Sequence, residues 1–474
     1  MSMKNNLLKS NNIRTIFLLS LFIPIFYNYF FNLLPSETRN ISFSNPDFIN
    51  IFLSLGLFIV LYFLGTRIKV IFNLSSISIS VIFYLFSFFI VDNYFLFLTK
   101  FFTFKQIFIF VNIIWLLIFI VNKNINNLEV IFFISFFFIF QKYVANYIFY
   151  NFDLTPLTYT VPDETDVWLP ATTYLFENNY FFALNNVSHN GYGLLITHIN
   201  SVSTQIFYYL NNFLYFPLIK NVFFFLTLLF ISEIKVRKIS KFVFLSVFLI
   251  VTLNSHWFRY LFFNSLMMEN AASYFFGVLI YSMTIRHTSF EKYLLTLLVG
   301  IMYFSKQFLS ALGVLFLIYL FIQKRLNKKQ LLLGLSPILS SLSNAFFLNV
   351  DITWSNYFKF FNGESSTGNK EPFNIDNILN IINQFLIDKP VSYFLFIFLI
   401  LFMFNFKSNY LQFRELVYII VINSSLVFIL YITVWSDVEY GSSYRYLLNI
   451  FHLLIPIYLV AIDKFIFSNK TRAS

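Results

Sequence analysis

Three carboxylates, Asp163, Glu164 and Asp166, stand almost side by side just ahead of Trp168 in the run PDETDVW. Carboxylates crowded in this way resist being ionised together, and that is how a chain makes a general base near neutrality or a divalent-cation site. A merely solvated acidic loop is the plain alternative. Farther along, Glu269 stands in Met-Met-Glu-Asn-Ala at the start of an apolar stretch, close behind His256 and Arg259. Lys306 lies where two short apolar segments meet, and Arg445 opens the last apolar stretch in Ser-Ser-Tyr-Arg-Tyr-Leu-Leu. Charges at a hydrocarbon boundary are costly and are paired, functional or snorkelling, and a carboxylate at a helix start also has a purely structural use. His189 and His198 lack metal-ligand spacing, and a loop histidine is more often solvated than catalytic. Cations of this kind suit the holding of a phosphate, and the carboxylates suit removal of a proton. If a divalent cation takes part, Asp163, Asp166 and Glu269 are its candidate ligands; the sequence does not name a cofactor.

A membrane-embedded helical frame has to position these residues. The chain is 58% hydrophobic and 11% charged, with a mean hydropathy of +0.73, which is the composition of a polytopic membrane protein and not of a soluble globule. Phe accounts for 72 of the 474 residues and is spread throughout, so it is used where Leu would serve. The absence of Cys excludes disulfides, thiolate metal sites and a Cys nucleophile. An apolar run of about 20 residues crosses the hydrocarbon core as a helix, the one single-segment structure that satisfies its own backbone there. Such runs fall at residues 13–34, 48–66, 76–92, 104–122, 128–150, 213–234, 239–255, 267–285, 289–304, 307–323, 331–350, 390–407, 413–434 and 444–462. The expected fold is therefore all-α with about 14 transmembrane helices. The first run is too long for a signal-peptide core and is expected to be retained.

The chain divides into N-terminal helices (1–150), an outer loop carrying the acidic motif (151–212), central helices (213–350), a second outer loop (351–389) and C-terminal helices (390–474). No Lys or Arg occurs between Lys142 and Lys220, whereas Asp153, Asp163, Glu164, Asp166 and Glu177 all fall there. With both termini inside, the cytoplasmic loops collect 21 of the 32 basic residues and 5 of the 21 acids, which is the positive-inside pattern. The net charge of +11 thus reports topology, and nucleic acid is not an expected partner. Residues 194–234 are too long for one crossing and too short for two with sensible charge placement. A helix lying in the interface followed by one span resolves this: Thr197, Asn200, Ser201, Thr204 and Tyr208 recur on one helical face. Trp168, Ala171 and Leu175, with Pro170 in the first turn, predict a second such helix before it.

In order along the chain, Asp163-Glu-Thr-Asp-Val-Trp168, Ala171, His189-Asn-Gly-Tyr192-Gly-Leu-Leu, Glu269-Asn-Ala, Phe304-Ser-Lys306-Gln and Ser443-Tyr444-Arg445-Tyr-Leu-Leu resemble motifs of the GT-C superfamily of polytopic glycosyltransferases. The resemblance covers roughly residues 154–460. It implies a polyprenyl-phosphate-sugar donor, a lipid-linked or surface-glycan acceptor, Asp163 as general base, Glu269 as second acid and Lys306 with Arg445 on the donor phosphate. Trp168, His189, Tyr192, Arg259 and Tyr444 are then expected around the substrates. It also implies a bacterial inner membrane as the location. Three departures stand against it: several spans precede the acidic loop where many relatives have one, Gly193 replaces a Pro, and Glu269 replaces the usual Asp. An O-antigen polymerase or ligase, which relies chiefly on outer arginines, is the second reading; here Arg39, Arg259 and Arg445 are the candidates. A transporter or flippase is the third, with Lys142 and Lys220 as its deep charges and no internal repeat to support it.

Overall fold

The free N–H groups at the start of a helix need acceptors, and short polar side chains supply them here. Ser76 accepts from the Ile79 amide at 3.0 Å. Thr103 with Gln106 and Asn327 with Gln330 form reciprocal capping boxes. Thr288 accepts from the Glu291 amide at 3.2 Å. Each cap immediately precedes an apolar run, which is why the helices begin where they do.

The computed structural model describes residues 45–122, 169–186, 194–206, 216–255, 269–285, 288–305, 307–349, 389–404, 406–433 and 450–467. These residues are helical apart from short links, with no strand among them. In chain order the helices are α1 (Asn45–Phe72), α2 (Ile77–Tyr94), α3 (Leu96–Thr99), α4 (Phe104–Val121), α5 (Leu169–Glu177), α6 (Tyr180–Asn186), α7 (Leu195–Ile206) and α8 (Phe216–Glu233). There follow α9 (Lys238–Asn254), α10 (Glu269–Thr284), α11 (Ser289–Ile301), a 3-10 turn (Met302–Phe304), α12 (Gln307–Ile322), α13 (Lys328–Leu348), α14 (Lys389–Phe404), α15 (Phe406–Thr433) and α16 (Phe451–Phe467).

Each expected span from 48–66 onward coincides with one of these helices, except 128–150, which like 13–34 lies outside the described residues. Among the described residues, Ser54–Phe72 of α1, α2, α4 and α13 are each long and apolar enough to cross a membrane, and a fifth crossing counts if the bent pair α14–α15 is one span. The apolar parts of α8 and α12 are shorter, Val222–Glu233 and Ala311–Ile322. The protein is thus all-helical in its described part, with four to five helices able to cross a membrane.

Polarity is distributed inside out relative to a soluble protein. On α4 the stripe Phe104, Ile107, Val111, Trp115 and Phe119 is buried, yet the opposite face, with Ile109, Phe110, Ile113, Leu117 and Val121, is exposed and equally apolar. Phe346 and Phe347 near the end of α13 are 84% and 78% exposed. A helix that is apolar all round and half uncovered needs hydrocarbon as its solvent. Polar side chains face inward instead and join helices: Tyr84 donates to Asn112 at 2.8 Å, and the Trp115 indole N–H donates to Ser87 at 3.1 Å.

The central element is α2, two thirds buried (67%). At its start Glu233, from the end of α8, accepts from the Ile77 and Ser78 amides at 2.5 and 3.2 Å. Glu291, from the first turn of α11, accepts from the Ser75 amide at 2.8 Å and its hydroxyl at 2.6 Å. Carboxylates there satisfy orphan donors and complement the positive end of the helix. Nearby, Arg325 pairs with Glu415 and donates to the Met283 carbonyl, while Lys292 donates to the Arg325 carbonyl. Asp463 accepts from the Arg237 amide and the Ser240 hydroxyl. The links between helices that hold most of the described basic residues are therefore knitted together at one end.

Close crossings depend on glycine. A Cβ on Gly300 of α11 would lie 1.8 Å from the Gly334 carbonyl oxygen of α13, with no flexible side chain to give way. At Gly313 a Cβ would meet nothing nearer than 3.3 Å. Gly300→Ala is accordingly expected to force α11 and α13 apart and cost about 1–3 kcal/mol, whereas Gly313→Ala, whose Cβ needs a shift of only a few tenths of an ångström from the Val299 carbonyl, should cost clearly less; thermal unfolding of the two variants in detergent checks this.

Candidate functional site

Asp92 is the ionisable residue in the last turn of α2, and its side chain points into the protein, where only 1% of the residue is exposed. An isolated carboxylate in such a place would be strongly destabilising, so it requires a partner. The partner is His198 of α7, fully buried, whose Nε2 lies 3.0 Å from Asp92 Oδ2. His198 Nδ1 lies 2.8 Å from the Leu194 carbonyl oxygen one turn earlier. The imidazole is boxed edge-on by Tyr180, Phe89 and Phe104, with ring centroids 4.7, 5.1 and 5.8 Å away. Three separate segments are thereby joined around one carboxyl–imidazole contact: the end of α2, the start of α4 with α6, and the start of α7.

The surroundings of the pair are fixed by further polar bonds. The Asn93 carbonyl, an orphan at the end of α2, accepts from Ser340 at 3.0 Å and Asn344 at 2.7 Å of α13. Its side-chain amide donates to the Pro337 carbonyl at 3.0 Å. Asn179 donates to the Lys100 carbonyl at 2.9 Å, and the Phe104 amide donates to the Asn178 carbonyl at 2.8 Å, which ties the turn before α4 to the link between α5 and α6.

A second buried histidine, His452 of α16, makes a useful contrast. Its Nε2 lies 2.8 Å from the Thr227 hydroxyl of α8 and its Nδ1 lies 2.8 Å from the Ser273 hydroxyl of α10. Thr227 gives its own proton to the Phe223 carbonyl, so it accepts from Nε2–H, and Ser273 donates to Nδ1. A neutral ring satisfies every partner, and the role is to clamp three helices where Gly277 lets the backbone of α16 approach α10.

Two expectations change. His198 is neither in a loop nor solvated, and the polar face of α7 is not laid on a membrane surface. Thr197, Asn200 and Ser201 are buried, as are Ile196, Ile199 and Val202 on the other side. The physical reason is that α7 has protein all round it: it packs on α2, α4, α5, α8 and the 3-10 turn. The helix expected just before it is present as α5, with Ala171 and Leu175 both buried, while Trp168 of the same stripe lies outside the described residues. The deep charge that was missed is Asp92; a lone acid inside an apolar run was the available signal, and its pairing with a histidine 106 residues on was not.

Asp163, Glu164, Asp166, Trp168, His189, Tyr192, Arg259, Lys306, Tyr444 and Arg445 lie outside the described residues, and so does Lys142. Glu269 is described only as the first residue of α10. The helices next to them in sequence are described. α5 follows directly on Trp168, α7 follows on Gly193 and Leu194, α10 begins at Glu269, and the 3-10 turn ends two residues before Lys306. α7 packs on α5, and the 3-10 turn packs on both α7 and α10. Next to Glu269, Asn270 is 1% exposed with both amide atoms unpaired, and the Thr197 and Ser201 hydroxyls are likewise buried without partners. Buried polar groups left open in this way are receptive to a polar ligand or to water. No three His, Asp or Glu side chains gather to hold a metal among the described residues.

No protein-family model, curated protein or solved structure matches the chain. The site therefore rests on its own geometry.

Ser273→Val should leave His452 Nδ1 buried without a donor and cost about 1–3 kcal/mol. Ser246→Val, at a hydroxyl bonded only to the Phe242 carbonyl of its own helix, should be near neutral. Thermal unfolding in detergent separates the two.

Proposed function

We propose that the chain is a membrane glycosyltransferase that moves a sugar from a polyprenyl-phosphate donor to a lipid-linked or surface-glycan acceptor on the non-cytoplasmic face, with inversion at the anomeric carbon. The observation that carries this reading is the ordered set Asp163, Glu269, Lys306 and Arg445, every member on the side expected to be outside. The packing of the helices next to the first three supports it, because α5, α7, α10 and the 3-10 turn form one contiguous neighbourhood. Membrane-spanning helices of an all-α bundle are the frame such a reaction needs, since its donor is anchored in the bilayer.

In this reading Asp163 takes the proton of the acceptor hydroxyl as that oxygen attacks the anomeric carbon. The lipid phosphate departs as an already stable anion, so one base and no general acid suffices. Lys306 and Arg445 hold the phosphate and offset its charge, Arg445 with the fork that suits two phosphate oxygens. Glu269 at the first turn of α10 is the second acid, beside the open amide of Asn270.

A second reading, a proton-coupled transporter, is favoured by one observation, the buried Asp92–His198 pair inside the bundle. Purified protein in liposomes that acidified the lumen on addition of a solute, without any transfer chemistry, would select it.

The direct test is a transfer assay with purified protein and a panel of polyprenyl-phosphate sugars. Asp163→Asn is expected to lose roughly 10²-fold or more in rate, the scale of general-base catalysis, and Asp166→Asn less. Lys306→Met and Arg445→Met are expected to weaken use of the donor more than of the acceptor. Full activity in Asp163→Asn, or unchanged donor affinity in both cation variants, would overturn the assignment.

A further inference from the structure

The two buried histidines differ in what faces their nitrogens. His452 looks at two hydroxyls, one of which accepts and one of which donates, so the neutral ring is complete. His198 looks at two oxygens that accept: the Leu194 carbonyl at Nδ1 and the Asp92 carboxylate at Nε2. A carbonyl oxygen can only accept, so Nδ1 must carry a hydrogen and donate it. The contact of 3.0 Å between Nε2 and Oδ2 then needs one further proton, held by the ring or by the carboxyl. Without it two lone pairs would face each other between buried groups, with an uncompensated negative charge.

We propose that Asp92 and His198 share a single proton and together form a net-neutral latch that positions the first turn of α7 against the end of α2. The latch acts at the start of α7, because the oxygen held by Nδ1 belongs to Leu194, the residue just before that helix. Both members are positioning residues. The other end of α2 is held by carboxylates accepting from backbone amides. Only at the latch does a titratable pair close the contact between two helices, among the described residues inside the bundle. The proposal does not depend on the transferase reading, and its test reads folding stability and not activity.

The proton count makes the two members unequal, and that asymmetry is the test. In Asp92→Asn the amide N–H can donate to Nε2 of a neutral ring whose Nδ1–H still reaches Leu194, so the contact survives without the shared proton. In His198→Leu the buried carboxyl of Asp92 is left without its partner. The midpoint of thermal unfolding, measured on the detergent-solubilised full chain, is expected to stay within about 2 °C of wild type for Asp92→Asn and to fall by about 5 °C or more for His198→Leu. Adding Asp92→Asn to His198→Leu should recover a clear part of that loss, because a buried amide without a partner costs less than a buried carboxylate. Should His198→Leu yield no folded protein, His198→Gln, which keeps one donor, takes its place with and without Asp92→Asn. An Asp92→Asn variant as unstable as the histidine variant, or a double variant no better than the histidine variant alone, would overturn the latch.

Discussion

The bundle depends on one set of interactions: the free backbone groups at both ends of α2, and the carboxylate in its last turn, are satisfied by side chains of other helices. At the start, the carboxylates of Glu233 and Glu291 take the amides of Ser75, Ile77 and Ser78. At the finish, Ser340 and Asn344 take the carbonyl of Asn93, and His198 takes the carboxylate of Asp92. Partners come from α8, α11, α13 and α7, so satisfying one helix fixes the places of four others. A hydrocarbon exterior makes this compulsory, because a polar group turned outward has nothing to bond there. The interior therefore collects polar residues, while Phe346, Phe347 and the outer face of α4 meet the surroundings.

The helical frame was legible in the sequence to a degree that follows from the same constraint. Apolar runs had to be helices, and the runs expected to start at 104 and 331 begin within a few residues of the capped starts at Phe104 and Lys328. The number of crossings was less legible: among the described residues four helices are long and apolar enough to cross a membrane, and the bent α14–α15 pair makes a fifth if it is one span. The stripe of Ala171 and Leu175 was read as marking a second interfacial helix; a helix, α5, stands there, and both side chains are buried. The polar stripe of α7 was read as a surface face because a polar side of a helix usually seeks water. Among polar helices in an apolar solvent it seeks protein instead, as Thr197, Asn200 and Ser201 do.

Of the site, the residue types that bear chemistry stood out in the sequence because charges are scarce, and their order gave the functional reading. Their described neighbours, Asn270, Thr197 and Ser201, add buried polar atoms that the chain itself leaves open. The Asp92–His198 pair escaped notice because neither member has a motif around it, and the contact that joins them is made by the fold alone. Glu233 and Glu291 were likewise readable as acids on the basic side, but their use as caps for α2 depends on helices more than a hundred residues away closing over its start.

The account needs the acidic motif and the basic links to lie on opposite sides of the membrane, and the absence of Cys makes that directly measurable. Single cysteines placed at the exposed positions Asn185 and Lys238 can be reacted with a membrane-impermeant maleimide on intact cells. Asn185→Cys, in the segment expected outside, should label in intact cells, and Lys238→Cys should label only after the membrane is opened. Labelling of Lys238→Cys in intact cells, or protection of both positions to the same degree, would contradict the account.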